Sequence, residues 1–222
     1  MGNYIFNAEL LLEILQNDAQ QDDSQHDFGR NILPALLKSH KLMAYDFRKN
    51  SVPLDFKGEE GSYWRDVGTI ESYYEANMDL RSVRPSLNLY NKSWPIRTLG
   101  YGGPPPKFVF DEASRTGVAI NSIVAEGTII SGSRISGSVI GQNVRIHSYC
   151  QIEDSILMDW VEVGRGCRIK NAIIDKFNTL APGTEIGYDR ESDRERYIVA
   201  GDGITIIPRA AEKNCWTTIE RG

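Results

Sequence analysis

The chain has 222 residues, of which 41% are hydrophobic and 25% are charged, and its formal net charge at pH 7 is -5. Such a composition is typical of one or two globular domains, and the negative charge provides no general attraction to nucleic acid or to an anionic membrane. No apolar run approaches the roughly 18 residues that a membrane-spanning helix needs. Three cysteines, an odd number, do not make a disulfide framework, which favours a reducing, cytoplasmic setting.

The sequence pattern of residues 1–80 predicts a mixed α/β segment. Strands are expected at Tyr4–Phe6 and Leu42–Phe47, where apolar and aromatic residues are concentrated. One helix is expected after Asn7, a good N-cap residue, and a second begins near Asp27. A third helix is expected to be capped by Thr69.

Residues 81–117 predict a linker, because hydrophobic periodicity disappears and prolines accumulate there. Adjoining prolines adopt an extended, stiff backbone, so the linker is expected to pack on a surface rather than to act as a free tether. The prolines are Pro85, Pro95, Pro104, Pro105 and Pro106.

The segment from about Ser122 to Gly187 predicts a parallel β-helix built from hexapeptide-like repeats. Aliphatic residues recur there at spacings of five or six, which suits neither an α-helix nor an alternating strand. A triangular coil with one inward aliphatic residue per side repeats in this way. The residues are Val124, Ile130, Ile135, Ile140, Ile146, Ile152, Leu157, Val163, Ile169, Ile174, Leu180 and Ile186.

At 16 or 17 residues per coil, these positions stack into three inward columns. The columns are Val124-Ile140-Leu157-Ile174, Ile130-Ile146-Val163-Leu180 and Ile135-Ile152-Ile169-Ile186. The residue two places before each aliphatic one is never large and shares its face, so it is also expected to point inward, near a corner. Corner residues that tolerate left-handed backbone are expected at Gly132, Gly137, Gly141, Asn143, Gly164, Gly166, Gly183 and Gly187.

Four motifs outside the solenoid carry a resemblance to a known family. They are Met1–Phe6 (MGNYIF), His26–Gly29 (HDFG), Tyr63–Thr69 (YWRDVGT) and Trp94–Thr98 (WPIRT). Together with the solenoid they resemble the carboxy-terminal half of bacterial ADP-glucose pyrophosphorylase, also called glucose-1-phosphate adenylyltransferase. The resemblance covers essentially the whole chain.

The resemblance implies the end of a Rossmann-like catalytic domain in residues 1–80, the linker in 81–117 and a left-handed parallel β-helix in 118–222 with regulatory and oligomerisation roles. It also implies a nucleotidyltransferase that makes ADP-glucose and pyrophosphate from ATP and glucose 1-phosphate in glycogen synthesis. Mg²⁺, phosphorylated-metabolite effectors, a homotetramer and a cytoplasmic location follow from the same resemblance.

The chain departs from the family because it contains neither the Gly-rich nucleotide-binding loop nor the stretches that supply the first metal-binding aspartate and bind the sugar phosphate. We therefore expect no adenylyltransferase activity from this chain alone, whether it is a fragment or a split subunit. A non-catalytic regulatory or assembly subunit is the alternative. A solenoid acyltransferase using His147 as general base is a third hypothesis, disfavoured because residues 1–80 would then have no role.

In the family the aspartate matching Asp66 binds the metal, so the resemblance implies the same catalytic role here. From the residues alone, Asp66 could equally be an aspartate favoured at a helix start. The resemblance also places Tyr4, Asp27, Phe28 and Trp64 around the glucose. The alternative is that the aromatic residues belong to the core and that Asp27 is an N-cap.

Three basic residues, Lys176, Arg209 and Lys213, match the family's allosteric site for phosphorylated metabolites; the alternative is that they are ordinary solvated charges. Cys150 and Cys167 fall in one inward column on adjacent coils, within reach of a disulfide. Packing of two free thiols in the core is the favoured interpretation.

Overall fold

The computed structural model describes residues 2–50, 52–53, 60–98, 100, 102–112, 115–201 and 203–209. The chain forms two compact units, Met1–Asn50 and Ser51–Gly222. The domain boundaries inferred from the sequence, at residues 80 and 117, stay predictions. Among the described residues, no helix is long and apolar enough to cross a bilayer.

The first unit consists of short helices. Helix α1 (Ala8–Asp18) begins where the Asn7 side chain accepts hydrogen bonds from the amides of Glu9 and Leu10. A π-helical turn, Phe28–Ile32, continues directly into α2 (Leu33–Leu36), and a 3₁₀ turn lies at Phe47–Lys49. The N-cap predicted at Asn7 and the second helix predicted near Asp27 are therefore confirmed.

The prediction of two strands in this unit is wrong. Residues 2–6 and 41–46 contain no strand, and neither segment joins a sheet formed by the described residues. An extended segment becomes a strand only when a neighbour accepts and donates its backbone hydrogen bonds. Apolar composition alone does not supply that neighbour.

The described residues of the second unit form two more helices and twenty short strands. Helix α3 is Ile70–Leu80 and α4 is Arg190–Arg196. The strands are β1 Val52–Pro53, β2 Glu60–Gly61, β3 Lys107–Val109, β4 Asp111–Glu112, β5 Arg115–Thr116, β6 Val118–Ile120, β7 Ile123–Val124, β8 Ile129–Ser131, β9 Arg134–Ser136, β10 Val139–Ile140, β11 Arg145–Ile146, β12 Gln151–Glu153, β13 Ile156–Leu157, β14 Glu162–Val163, β15 Arg168–Lys170, β16 Ala172–Ile174, β17 Thr179–Leu180, β18 Glu185–Ile186, β19 Ile198–Val199 and β20 Thr205–Ile207.

Three parallel sheets form the sides of the predicted solenoid. Their strand orders are β17-β14-β11-β8-β3, β18-β15-β12-β9-β6 and β20-β16-β13-β10-β7, with β19 added antiparallel to β20. The register pairs the inward aliphatic residues in the three predicted columns, for example Ile152 with Ile135 on one side and Ile169 on the other. These three side chains are fully buried. The parallel β-helix is confirmed.

The solenoid is longer than the sequence pattern indicates. At its start, Phe108 of β3 pairs with Ile130, and Ala119 of β6 pairs with Ile135. At its end, Ile207 of β20 pairs with Ile174, although residues 187–204, between β18 and β20, break the repeat spacing. Residues 107–109, assigned by composition to the linker, thus form part of the first coil.

Small inward hydroxyls link successive coils. The Ser122 hydroxyl oxygen accepts from the amide of Ser138 at 3.0 Å, and that of Ser138 accepts from the amide of Ser155 at 3.1 Å. The hydroxyl of Ser155 then accepts from the amide of Ala172 at 3.2 Å. The column is therefore polar as well as small, because buried backbone N–H groups need acceptors. Thr128 and Ser133 make equivalent contacts to the amides one coil later, those of Val144 and Cys150.

Residues with left-handed backbone mark the three edges of the solenoid. The Asn121 edge consists of Asn121, Gly137, Asp154 and Asn171; the Asn143 edge of Gly127, Asn143, Trp160 and Phe177; and the Tyr149 edge of Phe110, Gly132, Tyr149, Gly166 and Gly183. The prediction of left-handed backbone is wrong at two glycines, Gly141 and Gly164. A Cβ at Gly141 would lie 2.7 Å from the Asp159 amide nitrogen, so close approach of the next coil explains that glycine.

The outside and the end of the solenoid are covered by helices. Side chains of α3 pack against an outward apolar cluster that includes Ile156 and Ile173, and the Tyr74 hydroxyl donates to the Asp154 carbonyl at 2.6 Å. At the carboxyl end, the buried Asp193 of α4 accepts from the amide of Gly187 at 2.7 Å and from the hydroxyl of Thr205 at 3.0 Å.

The Ser155→Ala variant tests the hydroxyl contacts between coils. Removal of the hydroxyl leaves the buried amide of Ala172 without its acceptor, so we expect a loss of roughly 1–3 kcal/mol in stability. The measurement is thermal or denaturant unfolding followed by circular dichroism. Ser136→Ala on the outward face is the matched control, and equal stabilities of the two variants would contradict the assignment.

Candidate sugar, metal and effector sites

Three of the predicted sugar-site residues lie together in the first unit. The rings of Tyr4 and Phe28 stack with centroids 5.6 Å apart and planes inclined by 23°, and Phe6 lies against both. A methyl group at Gly29 would lie 3.3 Å from Oδ1 of Asp27 and 3.9 Å from the Tyr4 hydroxyl oxygen. An aromatic face, a hydroxyl and a carboxylate therefore meet beside Gly29.

Asp27 is the N-cap of the helical turn that follows it. Its Oδ1 accepts from the amide of Arg30 at 2.7 Å, so the N-cap interpretation made from the sequence is confirmed. A capping contact uses one carboxylate oxygen and fixes the orientation of the other. The capping role is thus compatible with the predicted contact to a sugar hydroxyl, which stays a prediction.

The contacts that hold the segment before Asp27 leave no recognisable pattern in the sequence. The buried carboxylate of Asp18 contacts Nδ1 of His26 at 2.7 Å and accepts from the hydroxyl of Ser24 at 2.7 Å. Hydrogen bonds from Ser24 and then from His26 hold the pKa of the Asp18 carboxyl below its ordinary value. His26, which has left-handed backbone, is thereby tied to the end of α1, directly before Asp27.

The lowered pKa of Asp18 predicts a loss of local stability in acid. The folded state favours the ionised carboxyl, so the stabilisation is present above the ordinary pKa of about 4 and is lost as the pH falls through the lower folded value. Hydrogen exchange of α1 amides between pH 6 and pH 3 measures this loss. We expect Asp18→Asn to remove the acid dependence and to loosen α1 already at pH 6.

Asp23→Asn, which removes an exposed carboxylate in the same segment, is the control. Identical pH profiles for Asp18→Asn and Asp23→Asn would contradict the prediction.

The remaining predicted sugar and metal residues, Trp64 and Asp66, lie in the second unit before α3. The Trp64 side chain is 53% exposed, so it is not a core aromatic. The α3 helix begins with Thr69 as N-cap in a capping box with Ser72. Thr69, and not Asp66, therefore caps the start of this helix. The Asp66 carboxylate is exposed and lies outside the helix.

The described residues do not build a metal site by themselves. No group of three or more His, Cys, Asp or Glu side chains among them is arranged to hold a metal ion. A divalent ion such as Mg²⁺ needs several oxygen ligands, and Asp66 can supply only part of such a set. No step through a metal ion is derived from these residues.

Two of the three predicted effector residues meet at the Asn143 edge. The carboxylate of Asp175 accepts from the backbone amides of Lys176 at 2.6 Å and of Arg209 at 3.2 Å. The Arg209 guanidinium lies 4.8 Å from the ring centroid of Phe177, and Nζ of Lys176 lies 2.9 Å from the carboxylate of Asp159. Lys213 lies outside the described residues.

The sequence hypothesis for Cys150 and Cys167 has a definite outcome. Both cysteines are free and buried, as favoured from the sequence, and their thiols donate to the carbonyls of Gly164 and Ala181. The contact with Cys150 and burial raise the pKa of the Cys167 thiol. Nε2 of His147 lies 2.9 Å from the Glu162 carboxylate of the next coil. The general-base role considered for this histidine stays a hypothesis.

Comparisons with known proteins find matches over most of the chain. Residues 1–83 match the family model described as "Nucleotidyl transferase", and residues 104–207 match "GlmU-like, C-terminal hexapeptide". The chain is 46% identical over 209 residues to a glucose-1-phosphate adenylyltransferase of Koribacter versatilis and 51% identical over 213 residues to one of Rhodopirellula baltica. A third, from Deinococcus deserti, is 46% identical over 212 residues.

These matches cover 94% of the chain in the first two cases and 95% in the third. They cover 49%, 46% and 51% of the relatives, so the chain spans about half the length of the curated relatives it matches. The resemblance carried by the HDFG, YWRDVGT and WPIRT motifs is confirmed.

Proposed function

Because the chain resembles glucose-1-phosphate adenylyltransferases over nearly all of its length, we propose that it is the carboxy-terminal catalytic segment and regulatory solenoid of such an enzyme. The reaction joins glucose 1-phosphate to the α-phosphate of ATP and releases pyrophosphate. The similarity to named enzymes across both family models carries this proposal.

Within this proposal, Tyr4, Asp27, Phe28 and Trp64 bind the glucose. The meeting of an aromatic stack with a carboxylate beside Gly29 supports it, because an aromatic face packs on the apolar side of a sugar while a carboxylate accepts its hydroxyl hydrogens. The exposure of the Trp64 side chain supports the same role for it.

Asp66 is proposed as one ligand of the metal ion. Nucleotidyltransferases use a divalent metal, and Mg²⁺ is our specific proposal because it neutralises charge on transferring phosphates. The exposed carboxylate just before α3 supports this role, and the phosphates of the substrates and the part of the relatives that this chain does not match would complete the ligand set.

We also assign Lys176, Arg209 and Lys213 to a site for phosphorylated effectors. The backbone amides of Lys176 and Arg209 both donate to the Asp175 carboxylate, which supports this assignment.

A homotetramer is proposed from exposed apolar residues on the solenoid such as Ile129 and Trp160. Two free thiols support a cytoplasmic location. The alternative function, a non-catalytic regulatory or assembly subunit, is favoured by the large share of the chain that forms the solenoid.

A turnover assay separates the catalytic from the non-catalytic alternative. The purified chain is incubated with ATP, glucose 1-phosphate and Mg²⁺, alone and after co-expression with the unmatched part of the Rhodopirellula baltica relative. We expect no pyrophosphate release from the chain alone and release from the co-expressed pair. A pair that associates and stays inactive would favour the assembly role, and activity of the chain alone would contradict the expected inactivity.

In the active pair, Asp66→Asn tests the metal ligand. We expect kcat to fall roughly a hundredfold, because a charge that stabilises the transferring phosphate is weakened. The fall should be partly relieved by raised Mg²⁺. Glu71→Gln, which removes a half-buried carboxylate in the first turn of α3, is the matched control. Equal kcat values for the two variants would remove Asp66 from the metal site.

A further inference from the structure

A cavity of about 360 Å³ lies at the Tyr149 edge of the solenoid. Its volume falls in the range of small-ligand sites. It is bounded by the β4–β5 hairpin and by two successive coils. The lining residues are Arg115, Thr116, Val118, Gly132, Ser133, Arg134, Tyr149, Cys150 and Gln151, and we name it the arginine cleft.

Arg115 is held in this cleft by two contacts, and no described carboxylate pairs with its charge. Its guanidinium carbon lies 3.2 Å from the ring centroid of Phe110, and its Nε donates to the hydroxyl of Ser148 at 3.2 Å. Its terminal nitrogens donate to no residue in the described part of the chain. A fixed guanidinium with free donors loses little entropy when it binds an anion.

Arg134 carries the second positive charge. Its neighbours in the outward register are Val118 and Gln151, neither of which is charged. Arg168, two coils further along the same row, pairs with Glu185 at 2.8 Å and lies over the ring of Tyr188. Arg134 is exposed and forms no ion pair or side-chain hydrogen bond with the described residues.

No carboxylate is among the described residues that line the cleft. The hairpin acids Asp111 and Glu112 are exposed and are not part of its wall. A third cation, Arg165, lies with its guanidinium carbon 4.6 Å from the ring centroid of Tyr149, at the rim. The potential in the cleft is therefore positive, in a chain whose overall charge is negative.

We propose that the arginine cleft binds a phosphate group, either as free phosphate or as the head of a small phosphorylated metabolite. Two guanidinium groups offer the planar donor pairs that match phosphate oxygens. The Gln151 amide and the Tyr149 hydroxyl provide further hydrogen bonds for the group attached to the phosphate. The cleft is distinct from the effector site proposed around Lys176, which lies on the Asn143 edge.

The test is isothermal titration calorimetry on the 222-residue chain carrying Lys176→Gln and Arg209→Gln, so that the other proposed phosphate site is silenced. The probes are inorganic phosphate and glycerol 3-phosphate, with glycerol as the uncharged control. In this background, we expect Arg134→Gln to weaken binding of the tighter probe roughly tenfold or more, since a charged hydrogen bond is lost. Arg168→Gln, on the same outward row, should change it less than about twofold.

Tighter binding of glycerol 3-phosphate would assign the cleft to an esterified phosphate, and tighter binding of inorganic phosphate to the free ion. Either probe's affinity should also fall in Arg115→Gln, with folding checked by circular dichroism. Two results would overturn the proposal. One is an equal affinity of the Arg134→Gln and Arg168→Gln variants for the tighter probe. The other is the absence of any heat of binding when either probe is titrated to a concentration on the order of 10 mM.

Discussion

Backbone amides at the corners of the solenoid are hydrogen-bonded to hydroxyl oxygens of the coil before, and these contacts fix the coils in register. The chain from Ser122 through Ser138 and Ser155 to the amide of Ala172 shows the arrangement. Because each hydroxyl lies two residues before an inward aliphatic side chain, the same register stacks Ile140 on Leu157. The apolar columns and the satisfied corner amides therefore depend on one another.

A rigid triangular prism presents different chemistry on each of its edges. The Asn121 edge is engaged by α3, through Tyr74 and the ion pair of Arg81 with Asp154. The Asn143 edge carries Lys176 and Phe177, and the Tyr149 edge carries the arginine cleft. Since every coil advances by one strand spacing, outward side chains on each edge keep fixed separations, which suits the binding of several different ligands.

The first unit is held by local contacts of another kind. Its helices are short, and the segment that carries Asp27 and Phe28 is positioned by the contact of His26 with the buried Asp18 and by stacking on Tyr4. Such a segment has few buried neighbours and depends on a small number of polar contacts. The sugar-binding residues proposed in this unit are therefore expected to be more sensitive to single substitutions than the solenoid is.

The sequence by itself determined the inward columns, the two buried thiols and the N-caps at Asn7 and Thr69, because each depends on spacing along the chain or on a neighbour within four residues. It also carried the family resemblance in short motifs. The tertiary structure decided which residues farther apart along the chain come together. Asp18 contacts His26, Arg115 and Arg134 line one cleft, and Ile174 pairs with Ile207. The prediction of strands at Tyr4–Phe6 and Leu42–Phe47 was wrong for the same reason. A strand needs a hydrogen-bonded partner, and a partner distant along the chain does not affect the local composition.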